Sequence, residues 1–526
     1  MGIVAGLIDE IGIVEQLNKK LGVDPREKVS SGVIVKAMLL NGLGFVSAPL
    51  YMFEKFFDGK ATEHLLGEGI KAENLNDDRL GDVLDKLYEK GLSEIFLGIS
   101  LQAAQKFEVK VETAHLDATS FHLDGKYESK EESLEPEAIE ITYGYSRDHR
   151  PDLKQFVMNL ICVGDGDIPV LMEIANGNQA DKARFAGLLQ EFREQWTFEG
   201  LCVADGALYS ADNLKAMAGL KWLTRVPLSI KQAAALVDQK TQLQKSQIQG
   251  YTIAESSSEY GEVSQRWLLI ESEQRRKSDL EKLSKKIEHK QKTCQQELQM
   301  LSTQDFACAA DALAAAEKLS AKMVWHQLSG IEIVEKRHYD RAGKPAKDVV
   351  PKCISYRVAA TIIAADDEIS AQRTRCGRFI LATNVLDSTH LSADDALRQY
   401  KGQQGVERGF RFLKDPLFFA SSVFLKSPQR VAALGMIMAL CLLVYNLGQR
   451  QLRQTLAQLA ETIANQLGKP IATPTLRWVF QCFMAVHLVV FQGLPQIINL
   501  TQQRQHILRF FSTACRRYYL IPEPDS

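Results

Sequence analysis

The chain has 526 residues, more than a single hydrophobic core accommodates, so its length predicts about three or four domains. Hydrophobic residues make up 45% of the chain and charged residues 24%, the ordinary balance of a soluble globular protein. The formal net charge of −2 excludes a generally basic nucleic-acid-binding protein. Any contact with nucleic acid must therefore come from a local patch. Residues 425–526, with ten Lys or Arg against three acids, are one candidate, and the same excess is equally consistent with solubility alone.

Nine cysteines are scattered along the chain without a Cys-x-x-Cys pair. This pattern argues against a zinc ribbon and against a disulfide scaffold, and it predicts a reducing, cytoplasmic environment. The first residues run into Asp9 and Glu10 without a basic n-region or a cleavable apolar h-region, so we do not expect secretion.

Residues 431–449 form a long uncharged segment, whose nineteen residues reach the lower limit for a membrane span. The segment is solitary, it closely follows a charged helical stretch, and Asn446 and Gln449 lie at its end. We therefore interpret it as a helix buried on both sides within an α/β core, and we expect no membrane contact. A membrane span is the alternative, and it would require the protein to partition with lipid.

Residues 1–105 have the pattern of a helical domain, because apolar residues recur at steps of three and four, as in the run from Leu80 to Leu87. The polar turn before that run offers Asp77 or Asp78 as the N-cap of the helix. A helical domain of this kind can bind DNA or partner subunits, or it can simply pack against the rest of the chain, and the pattern does not decide between these.

From residue 106 the pattern changes to short apolar runs separated by turns, which is typical of strands. Residues 228–375 interrupt it and are predicted to be an insertion, in which apolar or Cys residues recur every seven positions from Leu280 to Leu301, favouring a short coiled-coil hairpin. The strand pattern then returns, and Ser392 starts a long helix with Asp395 as its capping partner. The predicted strands cover 109–117, 121–123, 154–163, 168–174, 201–204, 222–226 and 379–383, with a helix over 180–192.

The chain is thus predicted to be an α/β protein in five segments. These are a helical N-terminal domain (1–105), the first and second parts of one α/β domain (106–227 and 376–450), the insertion between them (228–375), and a helical C-terminal region (451–526). The two parts of the α/β domain carry the residues on which the functional hypothesis depends.

Three acids stand where an α/β sheet presents functional residues. Asp117 ends a strand pattern in His-Leu-Asp-Ala-Thr-Ser, Asp205 ends another in Val-Ala-Asp-Gly, and Glu407 lies on the helix after a third. Two-metal-ion phosphodiester chemistry needs hard oxygen ligands, because Mg²⁺ prefers carboxylates, and two ions about 4 Å apart can activate the attacking oxygen and stabilise the leaving one. Singly, each acid is explained as a turn, cap or solvated residue, whereas their joint order favours a metal centre. His115, on the strand face of Asp117, is interpreted as a packed residue rather than a ligand.

The helix that carries Glu407 strengthens this hypothesis. A row of one acid and two bases beside an aromatic can hold a metal ion and grip the adjacent phosphates, and the alternative is a salt-bridged surface face. The residues that follow steps of three and four, and so share a face on one helix, are Tyr400, Gln403, Glu407, Arg411 and Lys414.

These motifs resemble those of bacterial insertion-sequence transposases of the DDE type, in the group marked by Tyr-x2-Arg-x3-Glu-x6-Lys. Tyr400, Glu407 and Lys414 match that spacing. Gln403 stands at the Arg position, which removes one charge expected to contact phosphate, and Arg408 or Arg411 can compensate. The similarity extends over about residues 20–450 and includes Leu116-Asp117 with Thr119-Ser120-Phe121, the stretch from Gly144-Tyr145-Ser146-Arg147 to Gln155, and Gly177-Asn178 with Asp181.

The resemblance implies a ribonuclease-H-like mixed sheet, with the third acid on a helix after a large insertion. It implies that Asp117, Asp205 and Glu407 bind two Mg²⁺ ions, for which Mn²⁺ can substitute, and that they catalyse end cleavage followed by attack of the freed 3′-hydroxyl on target DNA. The implied partners are the double-stranded ends of the chain's own element and the target DNA, with two copies of the chain on the DNA. The residues expected to contact DNA are Tyr400, Gln403, Arg408, Arg411 and Lys414.

Two other functions use the same residues. A nuclease of the same fold that cuts without strand transfer needs the same metal-bound carboxylates, and terminal inverted repeats beside the gene would distinguish transposition from it. An inactive relative that only binds DNA is the second alternative, and the presence of all three acids argues against it.

Overall fold

The computed structural model describes residues 1–44, 52–124, 127, 139–146, 150–179, 181–340, 350–415, 425 and 427–521, with only the backbone of 181–183. Within these ranges the chain forms two compact units. The first comprises Met1–Thr224, Tyr260–Val263 and Ala396–Ser526, and the second comprises Arg225–Glu259 and Ser264–Asp395. The five-segment division proposed from the sequence stays a prediction. Arg147 of the family-like motif lies outside the described residues, as does the side chain of Asp181.

The N-terminal part of the first unit is helical, as its apolar periodicity predicts. The N-cap of the helix that begins at Asp77 is Asn76, whose side chain accepts a hydrogen bond from the backbone N–H of Arg79, so the predicted caps Asp77 and Asp78 were one or two residues late. Both acids lie in the first turn, where negative charge suits the helix dipole. The helices are α1 Gly2–Ile11, α2 Ile13–Leu21, α3 Ser31–Gly42, α4 Phe53–Phe57, α5 Thr62–Leu66, α6 Asp77–Glu89 and α7 Leu92–Lys106.

A mixed sheet follows. Its elements are β1 Thr113–Leu123, β2 Lys154–Val163, β3 Ile168–Ala175, α8 Asp181–Trp196, β4 Leu201–Ala204, α9 Ala211–Ala216 and β5 Lys221–Arg225. The spatial order is β3-β2-β1-β4-β5. β2 is antiparallel to both β1 and β3, whereas β4 is parallel to both β1 and β5. Three antiparallel strands followed by two that run parallel to the first is the arrangement of the ribonuclease-H-like fold, so the predicted fold class is confirmed.

One strand of this sheet differs from its prediction. The runs 109–117 and 121–123 were predicted as two strands, but β1 is a single strand of eleven residues, and Asp117 lies near its middle rather than at its end. The reason is pairing with β2, which is continuous from Ala114 to Leu123. The local alternation of residue types does not reveal this long-range ladder.

The second unit contains four helices and six strands, and β9 and β10 form a long hairpin. In chain order its elements are α10 Lys231–Asp238, β6 Gln244–Lys245, most of β7 Tyr251–Tyr260 and of β8 Val263–Ser272, α11 Glu273–Thr303, α12 Ala309–Ser320, β9 His326–His338, β10 Cys353–Ala364, α13 Asp366–Arg375 and β11 Arg378–Thr383. β11 is antiparallel to β8, and β9 to β10. The heptad run lies on α11, a helix of 31 residues whose described partners are the short α12 and strand β10 rather than a second long helix. Leu301 at its C-terminal end packs on a small core around Ala312, Ala316 and Val358.

The C-terminal part returns to the first unit. Its elements are most of α14 Ala393–Gly402, then α15 Gln404–Leu413, α16 Pro428–Leu459, β12 Ile463–Ala464, β13 Pro470–Ile471, α17 Leu476–Cys482, β14 His487–Phe491, β15 Leu494–Ile498, α18 Gln502–Leu508 and α19 Thr513–Arg516. The region is mainly helical, as predicted, but it also contains two short hairpins, β12–β13 and β14–β15, that the sequence pattern did not indicate.

Helix α16 is the element that resolves the question of the uncharged segment. Ser427 caps it by accepting a hydrogen bond from the N–H of Arg430, and Pro428 occupies the first turn, where a missing N–H costs nothing. Among the described residues it is the one helix long and apolar enough to cross a membrane, and its most apolar window is completely buried. It packs on α3, α6, α7 and β3, so the prediction of a buried core helix is confirmed.

Candidate functional site

The strand register places two of the predicted acids side by side. The parallel ladder between β1 and β4 ends with the pair Leu116 and Ala204. Asp117 and Asp205 are the next residues of the two strands, at the point where β4 ends and β1 continues. Because neighbouring strands lie about 4.8 Å apart, Asp117 and Asp205 are neighbours along the backbone at the end of β4.

Both carboxylates are held close to the backbone. Asp117 is 8% exposed, and its Oδ1 accepts a hydrogen bond of 2.8 Å from the N–H of Ala118. Asp205 is half-buried, and its Oδ1 accepts a hydrogen bond of 2.9 Å from the N–H of Ala207. The Asp205 carbonyl also accepts a hydrogen bond of 2.6 Å from the hydroxyl of Thr224 on β5. The Asp-Gly turn after β4 is therefore fixed to the neighbouring strand, which limits where the Asp205 side chain can go.

The third acid, Glu407, lies on the segment from Gly402 to Lys414, which runs along β1. At one end of the segment, a Cβ added to Gly402 would meet Cε1 of His115 at 3.1 Å. At the other end, the ammonium of Lys414 lies 5.6 Å from the ring centroid of Phe121. The segment thus passes from two residues before Asp117 to four residues after it, and the exposed Glu407 lies between these contacts. Helix α15 contacts both β1 and β2.

The three acids do not form a closed metal site. Within the described ranges, no three His, Cys, Asp or Glu side chains come close enough together to hold a metal ion. The structure therefore brings Asp117 and Asp205 together by register and places Glu407 on the helix beside them, without a common coordination geometry.

The predicted single helix around Glu407 is broken. α14 ends at Gly402 and α15 begins at Gln404, with Gln403 in the turn between them, where its N–H donates to the carbonyl of Tyr400 at 3.2 Å. Two consequences correct the sequence analysis. Tyr400 and Glu407 lie on two consecutive helices, α14 and α15. Gln403 is only 7% exposed, so its side chain is packed rather than presented to a ligand.

The predicted basic residues fall into three environments. Arg408 donates to Oδ2 of Asp167 at 3.0 Å, so its charge is already matched by an acid. Arg411 is exposed, and Lys414 is half-buried with its ammonium over Phe121. Of the two arginines that were expected to compensate for Gln403, Arg411 is thus the one whose charge is available to a ligand.

The most informative residue that the sequence analysis missed is Asp167, in the turn between β2 and β3. Its φ of +57° is in the left-handed region, which Asp adopts more readily than most residues. Its carbonyl accepts a hydrogen bond of 2.6 Å from Asn446 on α16, and its carboxylate lies against Gly405 and pairs with Arg408 on α15. The sequence Gly164-Asp165-Gly166-Asp167 is typical of a turn, but nothing local in it indicates a contact with the helix of Glu407.

A second acid of the same turn fixes a different helix. Asp165 pairs with Arg450 on α16 at 2.6 Å, and the nearly buried guanidinium also donates to the carbonyls of Phe107 and Glu108. The β2–β3 turn is thus joined to α15 through Asp167 and to α16 through Asp165 and the Asp167 carbonyl.

His115 behaves as the packed residue predicted from the sequence. Burial lowers the pKa of His115 to about 4, so the imidazole is neutral at neutral pH. Its Nε2 lies 3.3 Å from the hydroxyl of Thr113, and Gly402 packs against the ring. It therefore adds no positive charge beside the two aspartates.

The basic excess of residues 425–526 is largely used inside the protein. Five of its arginines pair with acids, which are the pairs Arg430–Asp85, Arg450–Asp165, Arg477–Asp415, Arg509–Glu461 and Arg517–Asp9. In the described part of this region, the charge available to DNA is consequently smaller than the residue count suggests.

Comparison with known proteins gives a family for most of the chain. Residues 113–446 match the family model described as "Transposase DDE domain", and residues 1–101 match a "Domain of unknown function (DUF4277)". No curated protein matches the chain. One solved structure that resembles it, titled "Cryo-EM structure of piggyBac transposase synaptic complex with hairpin DNA (SNHP)", has 10% sequence identity and a TM-score of 0.38, over 97% of this chain and 78% of that one. Because the transposase domain model spans more than half of the residues, the chain belongs to the DDE transposase domain family.

Proposed function

We propose that this chain is a DNA transposase of an insertion sequence, in the Tyr-Arg-Glu-Lys group, in which Asp117, Asp205 and Glu407 hold two divalent metal ions. The observation that carries the proposal is the register of β1 and β4, which sets two acids side by side in a domain of the transposase family. Glu407 completes the set from α15, the helix that lies along β1.

The donor set suits Mg²⁺, with Mn²⁺ as a substitute. The three proposed ligands offer only hard carboxylate oxygens, and the neighbouring His115 is packed against Thr113 and Gly402. When bound, two such ions supply an activated water or 3′-hydroxyl and stabilise the departing oxygen of the cleaved phosphodiester. In this proposal Asp117 on β1 and Asp205 directly after β4 supply two of the ligands, and Glu407 on α15 supplies the third.

The DNA-contacting role divides among the residues of the broken helix. Arg411 and Lys414 follow Glu407 by one and two turns of α15, where their charges can meet the phosphates beside the cut. Tyr400 lies on α14, before the break, and would contact the DNA on the other side of Glu407. Arg408 and Gln403 act indirectly, since one pairs with Asp167 and the other is packed.

The proposed partners are the double-stranded ends of the chain's own element and the target DNA, with two copies of the chain joining two ends in the cytoplasm. The reaction would begin with a nick at the element end and continue with attack of the freed 3′-hydroxyl on the target.

The test is cleavage of a DNA fragment that carries the flanks of the gene, with the purified 526-residue chain and Mg²⁺. Native protein is expected to cut at fixed positions and to give joined products with a target plasmid, and Asp117→Asn is expected to lose cleavage at least about 1,000-fold. Asp124→Asn is the matched control, because Asp124 is exposed and directly follows β1.

Three results would contradict the proposal. Cleavage by Asp117→Asn at the native rate would show that Asp117 is not a ligand of a catalytic metal centre. Cuts without joined products would leave a nuclease without strand transfer. DNA binding without any cleavage by well-folded native protein would leave an inactive DNA-binding relative.

A further inference from the structure

Helix α11 of the second unit carries a concentrated positive charge. Residues 282–292 contain five lysines and one acid, a net charge of +4 with His counted as neutral, in a chain whose formal net charge is −2. All five lysines are exposed. Their spacings of three, four and seven residues place them on one side of the helix. We call this side the basic face of α11, and it consists of Lys282, Lys285, Lys286, Lys290 and Lys292.

The basic face is separate from the side on which α11 packs. Leu283 and Cys294 are buried and Ile287 is half-buried, and these three share one side of the helix. Lys285 and Lys292 each stand two residues from a buried position, which is about 200° around a helix, so they point away from the packed side. The lysines are therefore not needed for the packing of α11.

The basic face is not neutralised by acids of the chain. Among the residues that the structure describes, the ion pairs of α11 are made by Arg275 and Arg276 near its N-terminus, and none involves the basic face. Lys282, Lys286 and Lys290 follow one another at steps of four, where like charges repel and destabilise a helix. The arginines of residues 425–526 differ, because five of them pair with acids. A lysine row that repels itself and has no acid partner in the chain is expected to meet an anionic partner.

The length and chemistry of the basic face suit duplex DNA. From Lys282 to Lys290 the helix rises about 12 Å. A duplex carries one negative charge per about 1.7 Å of its axis, so this length offers about seven phosphates. Lysine binds phosphate as a point charge, whereas base edges are read mainly by Arg, Asn and Gln. The basic face is therefore expected to bind duplexes of any sequence.

We propose that the basic face of α11 is a sequence-independent binding surface for the phosphate backbone of duplex DNA. It gives the second unit a DNA-holding role of its own, whereas the three acids of the proposed metal centre belong to the first unit. The inference rests on the DNA partner of the proposed function but does not require cleavage. Failure of native protein to cleave element ends would contradict the proposed function and leave the binding measured below unchanged.

The test is fluorescence anisotropy of a labelled duplex of about 30 base pairs and arbitrary sequence, from about 50 to 300 mM KCl without divalent ions. The titrated protein is the 526-residue chain with Asp117→Asn, so that no cleavage interferes. Addition of Lys282→Ala, Lys286→Ala and Lys290→Ala is expected to lower the slope of log K against log salt by about 2.7, because each phosphate contact contributes about 0.9. Alanine is the best helix former, so α11 should be retained.

Two control variants separate the charge of this face from other effects. The corresponding triple Lys→Arg variant keeps the three charges and should keep the native slope. Lys318→Ala, Lys322→Ala, Lys336→Ala removes three exposed lysines elsewhere in the second unit and should also keep it. The inference is overturned if the chain without the lysine changes does not bind the duplex at the lowest salt, if the alanine variant of the basic face keeps the native slope, or if the control alanine variant loses as much.

A second measurement locates the DNA on the helix. His289 is exposed and lies one turn after Lys285, within the basic face, whereas the exposed Ser284 lies outside it. In a background with the exposed cysteines removed, Cys308→Ser and Cys353→Ser, a photoreactive azide attached at His289→Cys is expected to cross-link to the duplex. The same group at Ser284→Cys should cross-link markedly less. Equal cross-linking from the two positions would overturn the inference.

Discussion

The change Gly405→Ala tests how the helix of Glu407 is positioned. Gly405 lies in the first turn of α15, two residues before Glu407. An added Cβ would lie 2.9 Å from Oδ2 of Asp167 and closer still to Oδ1 and Cγ, distances that real Cβ atoms do not show. The methyl group therefore has to displace either the Asp167 carboxylate, with loss of its pair to Arg408, or helix α15 itself.

The magnitude follows from two opposing effects. Replacement of Gly by Ala within a helix by itself stabilises by up to about 1 kcal/mol. Forcing a methyl group into filled space costs about 1 to 3 kcal/mol. We therefore expect Gly405→Ala to lower the free energy of unfolding by about 1 kcal/mol. A displacement of α15 by about 1 Å would move Glu407 and slow cleavage by about 100-fold at saturating DNA.

The assay combines urea unfolding with single-turnover cleavage of element-end DNA. Gly98→Ala is the matched control, because Gly98 lies on helix α7 with no neighbouring atom within 4 Å of an added Cβ, and it should be neutral or slightly stabilising. In the double variant Gly405→Ala, Asp167→Gly, the obstructing carboxylate is gone and glycine accepts the φ of +57° without strain. Cleavage should then recover part of the lost rate, because the overlap is gone while Arg408 has lost its partner.

Gly405→Ala protein with native stability and native cleavage would show that the overlap with Asp167 does not position α15. A double variant that cleaved more slowly than Gly405→Ala alone would show the same, because removal of the overlap would then have no benefit. A loss of rate in the Gly98→Ala control would point to a general effect of helix stiffening.

Three further predictions address the fold and the DNA surface. Burial by itself raises the pKa of Asp165, but hydrogen bonds from Arg450 and from the N–H of Lys110 hold that pKa below its ordinary value; the resulting stability is present above about pH 4 and lost as the pH falls further. Asp165→Asn should therefore lower the free energy of unfolding by about 3 kcal/mol at pH 7, because it leaves the Arg450 charge buried without its partner. The loss measured by urea unfolding should be smaller below pH 4, and equal losses at both pH values would contradict this. Lys414→Ala should weaken DNA binding similarly for all sequences and lower the slope of log K against log salt by about 0.9, with the exposed Lys469→Ala as control; an unchanged slope would remove Lys414 from the phosphate contacts. Maleimide should label the exposed Cys308 and Cys353 of the native protein within minutes. Burial raises the pKa of the Cys162 and Cys441 thiols and should protect both from labelling until the protein unfolds. Early labelling of either thiol, detected by mass spectrometry, would contradict their burial.

The strand boundaries were predictable where local chemistry defines them. β2 and β4 follow the predicted ranges because short apolar runs end at Gly or Asp turns. The end of β1 was not predictable, because its extension past Asp117 depends on pairing with β2. Periodicity indicates which face a residue occupies, but it does not indicate how far a partner strand extends.

The site was predictable as a set of residue types but not as an arrangement. The spacing from Tyr400 to Lys414 suits one ideal helix, whereas the structure has two helices, α14 and α15, whose glycines Gly402 and Gly405 lie against His115 and Asp167. Arg408 is separated by 241 positions from its partner Asp167, so no local pattern could assign its charge to an ion pair rather than to DNA. Contacts between residues so far apart in the chain become visible only in the strand register and the turn geometry of the folded protein.

The proposed metal centre requires Glu407 to act together with the two aspartates. The measurement is Mg²⁺-dependent cleavage of DNA that carries the gene's own flanks, comparing native protein with Glu407→Gln and with the control Gln404→Ala, an exposed neighbour on the same helix. Position-specific cuts by native protein and by the control, reduced at least about 1,000-fold in Glu407→Gln with DNA binding retained, are the predicted result. Cleavage by Glu407→Gln at the native rate, at the same positions, would contradict the account.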